Sequence, residues 1–216
     1  MNRFLRLLTA LGLVALTGCA AFPQQKVAAV PSFTAASPAQ AKPSAYLQVQ
    51  FFRGPTGSEG IELLPGQPGV NKLIQSLRAH VEGSGLFRSV SYDSAQKASS
   101  DLQLNLRVRN HGNYGAAMAS GFVTGFTMGV IPGAATDNYS VELQVLDRSG
   151  QPARKFANDD AVRTWMGWIF LPLAGKTIPK AVDSTLSNQV RDVLRQAQEA
   201  GQLKPATEVA ATAAAL

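Results

Sequence analysis

Few residues in this chain could carry chemistry. It has two histidines, His80 and His111, and a single cysteine, Cys19. Neither histidine stands in an H-x-x-x-H spacing or beside a cluster of cysteines or carboxylates, so a transition-metal site would need ligands gathered from distant segments. His80 falls on or beside the polar face of an amphipathic segment and reads as a surface residue, whereas His111, within Asn110-His111-Gly112-Asn113, reads as a strand-end turn residue. Ser84-Gly85 and Ser120-Gly121 do not complete a G-x-S-x-G elbow, and a serine nucleophile needs a base that is itself oriented by an acid. Asp159 and Asp160 are adjacent, and adjacent strand residues point to opposite faces, so two solvated edge carboxylates are expected rather than a shared proton or metal. The glycines at 121, 125, 129 and 133 recur every fourth residue, but without the lysine of a phosphate loop or the G-x-G-x-x-G spacing. The sequence therefore predicts no enzyme, no cofactor and no metal.

The cysteine is the exception. Met1-Asn2-Arg3-Phe4-Leu5-Arg6 is a short positive region, and Leu7 to Leu16 is an apolar stretch too short for a spanning helix. Residues 1–18 read as an export signal. It ends in Leu16-Thr17-Gly18-Cys19, which resembles the bacterial lipobox. That resemblance implies cleavage before Cys19 and acyl chains of the palmitate class on the new terminus, an anchor that needs no transmembrane helix. Under the Gram-negative sorting rule that comes with the resemblance, aspartate after the cysteine retains a lipoprotein at the inner membrane. Ala20 follows here, so the expected address is the outer membrane, lipid-anchored on its periplasmic side. Cleavage would remove Arg3 and Arg6, leaving 18 of the 20 basic side chains against 14 acidic ones, a formal +4 in place of +6. No lysine and arginine cluster with interleaved aromatics appears, which argues against a nucleic-acid partner.

The elements that would position these residues follow from periodicity. Residues 19–44, rich in Ala, Pro, Gln and Ser, read as a lipidated flexible tether, and 202–216 as a disordered tail. Between them, 45–201 reads as one domain. Leu47, Val49 and Phe51 alternate as in a half-buried strand, and a Gly- and Pro-rich loop follows, with a short extended piece at Ile61 to Leu64. Val70, Leu73, Ile74, Leu77 and Val81 mark one face of a helix. Strands are expected over Leu86–Tyr92, Asp101–Arg109, Asp137–Asp147 and Ala153–Thr164, with Asp147-Arg148-Ser149-Gly150 as a hairpin turn. Thr177 is placed to cap a second amphipathic helix, buried along Ile178, Val182, Leu186, Val190, Val193 and Leu194 and ended by Gly201.

The order of these pieces, with Gly83-x-Gly85-Leu86-Phe87-x-x-Val90, Ser100-Asp101-Leu102-x-Leu104 and Asp147-x-x-Gly150, resembles small α/β envelope domains of the TolB N-terminal, curli-secretion lipoprotein and penicillin-binding-protein activator type. The resemblance covers about Ala45 to Gln198 and implies life as an assembly part. The expected fold is α+β: two layers, a mixed or antiparallel sheet of about five strands, and two amphipathic helices on one face.

Two uncharged runs stand out. Residues 112–136 form an apolar Gly-rich insert between two strands, and Trp165 to Gly175 holds both tryptophans. On a helix, Gly121, Gly125, Gly129 and Gly133 would line one groove in the manner of a glycine zipper; on a strand they would share one face. Spacing does not choose among helix, strand and loop, nor between packing on the domain's own sheet and insertion in a membrane. Phe122, Phe126, Trp165, Trp168 and Phe170 complete the candidate contact surface, toward a membrane, a protein partner or a second copy. The expected role is a structural or assembly component of the cell envelope. The alternative is a transport-auxiliary module that shelters an apolar lipid ligand.

Overall fold

The computed structural model describes residues 18–31, 33, 42–67, 69–112, 114–127, 130–173 and 175–204. The expected export signal apart from Gly18, the expected tail beyond Lys204, and Gly129 lie outside the described residues. Seven strands among the described residues form one sheet: β1 (Cys19–Pro23), β2 (Ser44–Gly54), β3 (Ile61–Leu63), β4 (Ser89–Ser91), β5 (Leu102–Gly112), β6 (Gly133–Leu146) and β7 (Pro152–Met166). They lie in the order β1-β7-β6-β5-β2-β3, with β4 also paired to β2. β2 runs parallel to β4 and β5, and the other pairings are antiparallel, so the sheet is mixed.

The period-two segments became strands because one face of each could be buried. Leu47 and Phe51 on β2, Leu104, Leu106 and Val108 on β5, and Val141, Leu143 and Val145 on β6 are buried side by side. Helices α1 (Val70–Glu82) and α3 (Ile178–Glu199) pack on one another and on this face. Leu77, Val81, Leu186, Val190, Val193 and Leu194 point into the same core, each contributing about 1.5–3 kcal/mol by leaving water. Side chains of the two helices and the sheet thus meet in one core. Helix α2 (Tyr114–Phe126) packs on β6.

The α+β class holds, and four details differ from expectation. The sheet has seven strands rather than about five, because β1 and the short β3 join it. β1 comes from the expected flexible tether: Cys19–Pro23 is strand, and residues 24–31 run on against β7 and α3. Only 32 and 34–41 of that tether fall outside the described residues. β6 starts at Gly133, earlier than Asp137, which shortens the apolar insert. Thr177 occupies the position before α3 but makes no capping bond with its side chain.

A polar clasp closes the opposite end of the sheet from β1's first residue. Asp101, buried ahead of β5, accepts hydrogen bonds from the Ser44 backbone N–H at 2.9 Å and the Ser44 hydroxyl at 2.8 Å. Arg88 and Arg148 reach the same carboxylate at 3.2 and 2.9 Å. The Ser44 N–H bond holds the Asp101 carboxyl below its ordinary range of 3.8 against the opposing effect of burial; the hydroxyl and the two guanidiniums add to it. Both arginines are solvent-exposed and contribute little beyond that. A depressed folded value means the stabilisation is full above the unfolded value and is lost as pH falls through the folded one. Asp101→Asn should therefore cost about 2 kcal/mol at neutral pH. In denaturant unfolding, the gap from wild type should narrow progressively below about pH 4; a gap constant with pH would contradict this account.

Candidate functional site

The residues with chemical potential do not converge. His80 Nε2 lies 3.1 Å from Ser76 Oγ and 3.3 Å from Asp183 Oδ1, and the Ser76 hydroxyl donates to that same oxygen. A catalytic relay uses one imidazole nitrogen for the nucleophile and the other for the acid. Here one nitrogen faces both, and the cluster ties α1 to α3. His80 is thus a half-buried bridging residue rather than a free surface one. His111 lies within β5, not in a turn, and its Nε2 is 2.9 Å from Ser140 Oγ, which donates to Asp159 at 2.5 Å. That row across β5, β6 and β7 runs His–Ser–Asp, with the carboxylate on the hydroxyl and no base between them.

Asp159 and Asp160 do point to opposite faces, but only Asp159 is solvated. Asp160 is 1% exposed. Its carboxylate accepts from the backbone N–H groups of Lys26, Val27 and Ala161 at 3.1, 3.3 and 2.7 Å. The physical reason is β1: it pairs along β7, so β7 is an interior strand, and the chain leaving β1 places its amides over Asp160. Parity carried the signal, because Asp160 shares the register of Phe156 and Val162 on the core face.

The same pairing sets the position of Cys19. Its backbone stands opposite Met166 on β7, and Met166 stands opposite Gly133 on β6. At the usual strand spacing, Cys19 and Gly133 are about 10 Å apart. Two apolar elements fasten to this row. On one side, Ser120 Oγ of α2 accepts the Ala134 N–H at 2.7 Å, and Thr124 is buried beside it. A Cβ on Gly133 would collide with the Thr124 hydroxyl and sit 2.6 Å from Ser120 Oγ, so this contact requires glycine. On the other side, the 3₁₀ turn Trp168–Leu173 follows β7, with the Gly167 N–H donating to Gly18 O at 2.8 Å. The Ala21 N–H donates to Lys176 O at 2.8 Å, which covers the outer edge of β1.

These two elements carry exposed apolar side chains. On and after α2 they are Met118, Phe122 at 74% exposure, Val123, Val130 and Ile131. On the 3₁₀ turn and the start of α3 they are Trp168 at 49%, Ile169, Leu173 and Ile178. Trp165 is half-buried, stacked 5.7 Å from Phe170 with Arg163 over its ring at 4.7 Å.

The glycine row dissolves in this arrangement. Gly121 and Gly125 are in α2, Gly133 opens β6, and Gly129 is outside the described residues. A Cβ at Gly121 or Gly125 would meet nothing within 4 Å, so neither glycine serves a close approach within this chain. Phe126 is the last residue of α2. Among the described residues no helix is long and apolar enough to cross a membrane. The structure thus gathers Cys19, Phe122, Trp165, Trp168 and Phe170 at one end of the sheet, but not as a zipper.

No protein-family model matches the chain, and no curated protein does, so the resemblance to the TolB-like and related envelope domains gains no match. Among solved structures, the chain is similar to a PelC dodecamer from Paraburkholderia phytofirmans. In one crystal form the identity is 12%, the TM-score 0.35, and 75% of this chain and 92% of that one are covered. In a second form the identity is 11%, the TM-score 0.33, and the coverage 82% and 95%. A minor lipoprotein from Acinetobacter baumannii is similar at 12% identity and a TM-score of 0.37, with 75% and 96% covered. With TM-scores this low, neither the dodecameric state of the one nor the lipoprotein nature of the other carries over.

Asp160 is the fastening point for the segment after β1, which gives a direct check. Asp160→Ala should raise amide exchange at Lys26 and Val27 by about tenfold or more, with core amides of β5 and β6 unchanged. Uniform acceleration across the sheet would instead make Asp160 a determinant of global stability.

Proposed function

We propose that this protein is a non-enzymatic lipoprotein of the bacterial outer membrane, anchored through Cys19 on the periplasmic side and held face-on to the bilayer by the apolar elements around that anchor. The observation that carries this reading is the register Cys19–Met166–Gly133, which groups the lipidation residue with both exposed apolar elements. Cys19 is also the first residue of β1. A lipid on it would have no spacer, and the sheet end would meet the head groups directly.

Magnitudes divide the labour between lipid and side chains. Each buried methylene of an acyl chain contributes about 0.8 kcal/mol, so two or three chains suffice to anchor. Phe122 and Trp168, at about 1.5–3 kcal/mol each when buried, are too few to hold the protein alone. They are enough to fix its orientation, and a tryptophan at the head-group level is where its amphipathic ring is stable.

Cys19→Ala should abolish incorporation of labelled palmitate, and the protein should run as a larger species that keeps its export signal. In residues 19–216 carrying Cys19→Ala, adding Phe122→Ser or Trp168→Ser should weaken co-sedimentation with lipid vesicles by roughly tenfold each, and the double variant combines the two. Both side chains are exposed, and thermal melting of each variant separates lost docking from lost stability. Unaltered vesicle binding in the double variant would refute the docking reading, and loss of a larger assembly in its place would give the face to a protein partner.

A further inference from the structure

Charge at this end of the sheet is one-sided. From Ala161 to Val182 the ionisable side chains are Arg163, Lys176 and Lys180, all exposed, and no carboxylate interrupts them. Residues 112–136 contribute no charged side chain and 19–31 contribute only Lys26, until Asp137 on the half-buried start of β6. The carboxylates bordering the region are engaged elsewhere: Asp160 by three backbone N–H groups, and Asp183 by Ser76 and His80. Among the described residues Lys176 and Lys180 form no ion pair.

The two lysines flank an open recess of about 520 Å³ between β1, the 3₁₀ turn and α3. Ala21, Pro23, Leu173 and Thr177 form its walls. Ala21 is two residues from Cys19 on the same strand, so the recess adjoins the place where the acyl chains would leave the protein. A recess with an apolar wall, two unpaired ammonium groups and an adjoining exposed Trp168 and Ile169 matches the chemistry of a phospholipid interface, where acyl chain gives way to phosphate.

We propose that this end of the molecule selects anionic membrane: Lys176 and Lys180 receive the phosphate-bearing head groups of an acidic lipid surface in the recess beside the Cys19 anchor. The proposal rests on the docking reading above and adds the lipid class. Near a negatively charged surface each lysine contributes about a fivefold gain in binding, so the pair contributes roughly 25-fold. Because the attraction is Coulombic, it falls as salt shortens the screening length.

The test uses the protein without its export signal, residues 19–216 with Cys19→Ala, and two vesicle types, phosphatidylcholine alone and phosphatidylcholine mixed with phosphatidylglycerol. The mixed vesicles should bind roughly 25-fold tighter at low salt, and the difference should shrink as salt rises. Lys176→Gln with Lys180→Gln should erase that preference while leaving binding to phosphatidylcholine unchanged; Lys176→Arg with Lys180→Arg should keep it. Equal binding of both vesicle types by the unsubstituted lysines would overturn the charge proposal and leave apolar docking intact. Failure to bind either type would overturn both. Saturable competition by inorganic phosphate at equal ionic strength would reassign the recess to a free anion, and so count against the membrane as its occupant.

Discussion

Backbone hydrogen bonding between Cys19–Pro23 and the far half of β7 is the interaction on which the Cys19 end of the molecule depends. A strand edge left open over a buried face exposes N–H and C=O groups whose loss of water is expensive. β1 satisfies one edge of β7, and the Lys176 carbonyl satisfies the next edge through the Ala21 N–H. Once β1 is seated, the amides that follow it reach Asp160, and Arg191 can donate to Val30 O and Pro31 O at 2.7 and 3.0 Å. A segment of five residues is thereby locked to an element more than a hundred positions away.

This arrangement separates two tasks within one sheet. The core between α1, α3 and the apolar face is mostly aliphatic, with Phe51, Tyr139 and Phe156 among it, and gives stability without any special chemistry. The rows of Cys19, Met166 and Gly133 extend past the end of β5, so β1, β6 and β7 project beyond the central ladder. Elements attached to that projection are free to expose Phe122, Ile169 and Trp168 because they add nothing to the core. The polar clasp at Asp101 lies at the other end, where β2 and β5 begin.

How much was legible in the sequence follows from what each signal measures. Alternation reports one-sided burial, and β2, β5, β6 and β7 all have a buried and an open face, so Leu104, Leu106 and Val108 announced themselves. The 3.6-residue period found α1 and α3 for the same reason. β1 offered no such signal: Cys19-Ala20-Ala21-Phe22-Pro23 is short and made mostly of small side chains, and its pairing is a backbone effect with a distant partner. Missing it also turned Asp160 into an apparent edge residue. The glycine spacing misled because a period of four is compatible with helix and strand alike, and it says nothing of whether space is tight. At Gly121 and Gly125 it is open within the chain; Gly133, pressed against Ser120 and Thr124, needs to be glycine. The grouping of the aromatic runs around Cys19 was half visible, since both flank neighbouring strands, but the cysteine's place beside them required β1.

The hydrogen bond from Gly167 to Gly18 O bears on timing. Gly18 is buried, and a Cβ there would collide with the Gly167 carbonyl. A protease that cuts before Cys19 must hold the Gly18–Cys19 peptide extended in its own cleft, and a carbonyl already committed to Gly167 inside the folded domain is not on offer. On the proposed lipoprotein reading, maturation would then have an order: export and cleavage while β1 is still loose, and strand docking afterwards. Such a cut would also take the Gly18 carbonyl away from Gly167, leaving that N–H as a trace of processing at the start of β1.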